Sequence, residues 1–141
     1  MLNYYQIDSI INNKDCSRIE QTNIHDYQFI VGPHFINFHW YAVIIDIGNH
    51  QFYLIDPKGI DDDLLQYHFD KWVQYYNKRV DKNIVWHKMK INHPIQTDNY
   101  NCAIFVINFI YFYVNTRQID FNTSNMMDWR NVVADSIKNY C

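Results

Sequence analysis

The chain has 141 residues, 48% hydrophobic and 18% aromatic, enough for one core, and without a Gly-, Pro- or Ser-rich linker it reads as a single domain over residues 1–141. Lys and Arg number 12 against 15 Asp and Glu, a net charge of −3, and the cations are scattered, so strong nucleic-acid binding is not expected. The longest apolar run, Cys102 to Val114, is too short to cross a bilayer and no signal-like pattern opens the chain, while cysteines at 16, 102 and 141 lack metal or disulfide spacing; a reducing intracellular compartment suits them.

Residues 27–31, 37–47 and 51–56 are rich in aromatic and β-branched residues and predict strands, the last two joined as a hairpin through Gly48-Asn49. Leu65, Phe69, Trp72, Tyr76 and Val80 recur on one helical face, with acids at 61–63 before it and Lys78 and Arg79 at its end, the charge order a helix dipole favours. A strand is predicted over 84–91 and a loop over Asn92–Asn101. Cys102 to Val114 is apolar all round, which for a helix implies burial at the domain centre, although its β-branched and aromatic content also suits a strand. Met126, Trp129, Val133, Ile137 and Tyr140 share one face of a C-terminal helix, with Ser124 or Asn125 as cap. The sum is an α+β fold, a mixed or antiparallel central sheet packed by helices.

A cysteine nucleophile needs a base within hydrogen-bond reach, commonly oriented by a third polar group. If Gly48 and Asn49 form a two-residue turn, His39 faces Lys58 and Asp56 faces Tyr41, so His39 and Asp56 become diagonal neighbours on one face of the hairpin. A shift of one residue would separate them onto opposite faces. Each also has an ordinary explanation: His39 as a half-buried strand residue, and Asp56-Pro57 as turn chemistry. Cys102 stands either as the first core residue of its apolar segment or, if a helix starts there, where unpaired N–H groups and the dipole favour a thiolate. Its flank, Gln96 to Asn101, is polar, and the Gln96 amide with the Cys102 N–H could serve a developing oxyanion. All seven histidines precede Cys102, which excludes a Cys-before-His order for that thiol. No His-x3-His or Cys-x2-Cys pair supports a metal site, and no cofactor is expected.

The segments "NFHWYAVIIDIGNHQFYLIDPKG" and "IQTDNYNCAIFVINF" resemble the His-Trp, Asp and Gln-(x)5-Cys motifs of the superfamily uniting SUMO-deconjugating proteases with the adenovirus-type proteinase, adenain. The likeness covers roughly residues 25–115. It implies an adenain-like cysteine protease fold with His39 as general base, Asp56 as its orienter, Gln96 as oxyanion donor, Cys102 as nucleophile and Trp40 beside the substrate. Ala103 stands where the family usually has Gly, and Asn101 where deconjugases commonly carry Asp. The resemblance implies a thiol endopeptidase cutting after Gly or another small residue, in a viral precursor or a ubiquitin-like conjugate. Its partners would be a protein or peptide substrate, and its setting the host cytoplasm or nucleus, or a virion. A protease-shaped binding module that does not cut is the alternative.

Overall fold

The computed structural model describes residues 4–12, 23–59 and 61–140, without the side chains of 4–6, 9, 136, 137, 139 and 140. Cys16 and Cys141 lie outside the described residues, as do the side chains of Ile137 and Tyr140. The elements are α1 (Tyr4–Ile11), β1 (Phe29–Ile36), β2 (His39–Asp46), β3 (Gln51–Ile55), α2 (Asp62–Arg79), β4 (His87–Lys88), α3 (Cys102–Thr116) and α4 (Met126–Tyr140). The sheet runs β1-β2-β3-β4. Its first three strands are antiparallel and β4 is parallel to β3, so the sheet is mixed.

Alternation along β2 divides the core in two. Val43 and Ile45, with Phe52 of β3, meet Ile7 and Ile10 of α1 and Leu65, Trp72, Tyr75 and Tyr76 of α2. Ala42 and Ile44, with Tyr53 and Ile55, meet Phe105, Val106, Phe109 and Tyr113 of α3 on the other side. The sheet is thus covered by helices on both faces. α2 follows the predicted pattern: the Asp61 carboxylate caps it by accepting from the Leu64 N–H at 2.9 Å. The face shifts slightly, since His68 and Tyr75 are buried while Val80 is a partly exposed C-cap.

Several expectations need correction. β1 extends through Gly32-Pro33 to Ile36, and the strand expected from 37 starts at His39, because Asn37 and Phe38, with φ of 48° and 62°, form the reversal. Pro33 is tolerated because β1 is an edge strand, where a missing N–H breaks no ladder on its open side. Of residues 84–91 only His87 and Lys88 pair. α3 is a helix but is not buried all round: Ile107, Tyr111 and Val114 are exposed, since the sheet covers one side and α4 adds only partial cover through Trp129 on Tyr111 and Phe112. Ser124 and Asn125 belong to a 3-10 turn whose cap is Asn122, ahead of α4.

The β2–β3 register is the predicted one, with Ala42 opposite Ile55 and Asp46 opposite Gln51. The turn differs: the ladder stops at that last pair, and residues 47–50 form a four-residue connection with His50 at φ 54°. Lengthening both flanks by one residue leaves the facing unchanged. The buried Asp46 carboxylate holds this turn, accepting from the Asn49 N–H at 3.0 Å and Nδ2 at 2.9 Å.

Where α2 meets β1, buried His34 and His68 approach with Nε2 atoms 3.2 Å apart. His68 Nδ1 lies 2.8 Å from the Leu64 carbonyl, which can only accept, so Nδ1 carries the proton and His34 must donate between the rings. Burial, then the neighbouring His68, lowers His34 from 6.5 to about 4, against a raising effect from Asp8; burial also lowers His68. The neutral forms are therefore favoured in the folded protein, and the His34 contribution is complete above pH 6.5 and lost as pH falls toward 4. Thermal melts should show a midpoint flat above pH 6.5 that declines below it. In a His34→Leu/His68→Leu variant that part of the slope should vanish.

Candidate active site

His39 opens β2 and Asp56 directly follows β3, so the hairpin register places them side by side. His39 Nε2 lies 2.7 Å from Asp56 Oδ1, with both side chains 17% exposed. The same oxygen accepts from the Lys58 N–H at 2.8 Å, which fixes the carboxylate. Because a carboxylate accepts only, Nε2 holds the imidazole proton and Nδ1 keeps its lone pair. The Tyr41 ring meets His39 edge-on at 4.9 Å. Burial, then Asp56 and Asp61, raises the Tyr41 phenol above its ordinary value.

The segment after Asp56 reaches the polar loop. Gln96 N–H donates to the Pro57 carbonyl at 2.7 Å and Lys58 Nζ to Asn99 Oδ1 at 2.6 Å. This loop leads into α3, and Cys102 is the first residue of that helix, half-buried. Among the described residues no hydrogen bond joins its thiol to His39. The structure thus brings His39 and Asp56 together, ties Gln96 to the segment that follows Asp56, and sets Cys102 at the N-terminus of the helix packed on β2.

Gln96 is buried, and its Nε2 donates to the Asp98 carbonyl at 2.9 Å and to Asp98 Oδ1 at 3.1 Å. The Asp98 carboxylate also accepts from the N–H groups of Tyr100 and Asn101 and from Asn101 Nδ2. Burial alone would raise its pKa, but these hydrogen bonds, from Tyr100 foremost, outweigh that and hold it at about 2. Sequence reasoning passed over Asp98; the Asx-turn pattern, an acid followed within three residues by partners for its oxygens, is the signal that marks it.

Trp40 is half-buried on the α3 side of the sheet. It pairs across the ladder with Phe35, their rings 4.8 Å apart. Phe38, 94% exposed, meets Phe35 edge-on at 6.4 Å. These three rings form an apolar patch at the β1–β2 turn, of which the sequence pointed only to Trp40. Among the described residues no three His, Cys, Asp or Glu side chains converge to hold a metal, and no helix is long and apolar enough to cross a membrane.

Solved structures with the same fold include the Ulp1 protease domain in complex with SMT3, the yeast ortholog of SUMO, at TM-score 0.71 and 19% identity, covering 90% of this chain and 57% of that one. The SUMO protease Ulp1 with its catalytic cysteine oxidised to a sulfenic acid superposes at TM-score 0.66 with 22% identity, covering 83% and 55%. A predicted thiol protease of Acanthamoeba polyphaga mimivirus is 24% identical over 95 residues, 67% of this chain and 31% of its own length. The chain therefore spans about a third of that relative and just over half of those solved domains. Residues 3–141 match the Ulp1 protease family, C-terminal catalytic domain, and the chain belongs to this family of cysteine proteases.

Proposed function

We propose that the chain is a thiol endopeptidase in which Cys102 is the nucleophile, His39 the general base, Asp56 its orienter and Gln96 an oxyanion donor. The observation that carries the reading is the 2.7 Å His39–Asp56 pair, which leaves Nδ1 as the basic nitrogen, together with a thiol at the first position of α3. His39 Nδ1 takes the thiol proton as sulfur bonds to the scissile carbonyl carbon and the C=O electron pair moves to oxygen. The Cys102 N–H and one Gln96 amide proton, exchanged from its longer bond to Asp98, stabilise that oxyanion. Collapse breaks the C–N bond while His39 protonates the departing amine. Water, deprotonated by His39, then cleaves the thioester to a carboxylic acid and restores the thiol.

The proposed substrate has Gly or another small residue before the cut and is either a ubiquitin-like conjugate or a viral precursor protein. The SUMO ortholog bound by the Ulp1 structure supports the first, and the mimivirus relative supports the second. A nucleophilic thiol must stay reduced, so the proposed setting is a reducing intracellular compartment. Two measurements on the purified protein test the reading. Incubation with SUMO carrying a C-terminal extension, and with peptides containing a Gly-Gly step, should give products whose masses place the cut after Gly. Brief treatment with iodoacetamide at neutral pH should label Cys102 ahead of Cys16 and Cys141, and His39→Ala should remove that preference. Binding of the modifier with no cut in any substrate and no preferential labelling would favour the non-cutting module.

A further inference from the structure

The loop before Cys102 contains a carboxylate that the chemistry above does not consume. Asp98 Oδ1 accepts from Tyr100 N–H at 2.9 Å, Asn101 N–H at 2.8 Å and Gln96 Nε2 at 3.1 Å, and Oδ2 accepts from Asn101 Nδ2 at 2.7 Å. Gln96 is 4% exposed and Asn101 7%, so two members of the cluster are packed, while Asp98 is half-buried and Tyr100 exposed.

Asn101 occupies the N-cap position of α3, and asparagine is among the residues that best close a helix start by accepting from its first-turn N–H groups. Here its side chain makes no such bond. Its Nδ2 is held by Asp98, and its buried Oδ1 has no hydrogen-bond partner among the described residues. The amide cannot be turned over, because that would set Oδ1 against the carboxylate. α2 shows the ordinary solution, with Asp61 accepting from the Leu64 N–H. Among the described residues the first-turn N–H groups of α3 have no side-chain acceptor, at the cost of an unsatisfied buried amide oxygen. Open N–H groups at a helix start favour an anion, and the residue there is Cys102.

We propose that Asp98 is a positioning residue that draws the Asn101 side chain off the end of α3, keeping the first-turn N–H groups open for the Cys102 thiolate and the oxyanion. The proposal rests on the reading of Cys102 as nucleophile. In Asp98→Ala, Asn101 is released to cap the helix and compete for those donors. Iodoacetamide labelling of Cys102 at pH 7 should then slow by about tenfold, and kcat should fall on the order of 10–100-fold with KM nearly unchanged. Alanine cannot cap, so Asp98→Ala/Asn101→Ala should label faster than Asp98→Ala, and Asn101→Ala alone should label within about twofold of wild type. The exchange Asp98→Asn/Asn101→Asp rebuilds the side-chain bond with donor and acceptor reversed and should recover most of the rate.

Wild-type labelling and kcat in a folded Asp98→Ala would overturn the proposal, as would a double alanine variant no faster than the single one. If Asp98→Ala fails to melt cooperatively, the Asn101→Ala and exchange variants decide: labelling near wild type supports the assignment, and slow labelling by either folded protein refutes it. Cleavage that survives Cys102→Ala would instead reject the protease reading itself.

Discussion

Cys102→Ala should fold as the parent does and leave a cleavable conjugate intact, a loss on the order of 10⁶-fold in kcat. Cys102 is only half-buried and starts its helix, and alanine is a good helix former, so little structure is at stake. His39→Ala should lose about as much, and the double variant no more than either single one, because a nucleophile and its base, the roles proposed for this pair, act as a unit. Asp56→Asn separates orientation from charge. An asparagine amide can donate to Nε2, which moves the imidazole proton to Nδ1 and removes the lone pair needed by the thiol. The expected loss is on the order of 10⁴-fold, with the fold intact. Single-turnover assays of the four proteins, with melts to confirm folding, check this order. Equal activity in Asp56→Asn and the parent would show that the 2.7 Å pair has no part in turnover.

The largest effect on stability is expected at Trp72, fully buried between α2 and the sheet, with Tyr75 and Tyr76 beside it and the Trp86 ring edge-on at 5.0 Å. Truncation to alanine removes the transfer energy of the indole and leaves a void walled by rings that cannot all collapse inward. The cost is about 3–5 kcal/mol, seen as a fall in melting temperature on the order of 10–20 °C. Trp72→Phe should cost much less, since the indole N–H has no acceptor among the described residues and no hydrogen bond is lost. The deficit should propagate to the site, because this core backs the strands whose ends hold His39 and Asp56. Calorimetry of the two variants gives the comparison, and a Trp72→Ala midpoint within a few degrees of wild type would contradict it.

The sequence exposed the hairpin well because a period of two leaves only two facings, and the alternation of Ala42 to Ile45 against Phe52 to Ile55 selects one. His39 and Asp56 followed from it even though the turn is longer than two residues. The helix at 62–79 was legible through its acid cap and apolar stripe. What stayed hidden depends on tertiary context. Gly32-Pro33 reads as a breaker until an edge position makes the missing N–H harmless. The run from Cys102 to Val114 looks buried all round because composition does not say how many sides a neighbour covers. Asp98 was invisible as a functional residue because its four bonds lie within an irregular loop, where no periodicity reports them. α1 gave too short and mixed a pattern to be read at all.

The segment from Asp56 to Lys58 touches three partners: Asp56 holds His39, the Pro57 carbonyl takes the Gln96 N–H, and Lys58 reaches Asn99 across 41 residues of chain. His39 and Asp56 are separated by only 17 residues and can come together as soon as the hairpin forms. The loop before Cys102 must wait for a much larger closure, with its greater entropy. The His39–Asp56 pair should therefore order ahead of the loop that leads to Cys102, so the proposed site would be completed by its non-local contacts.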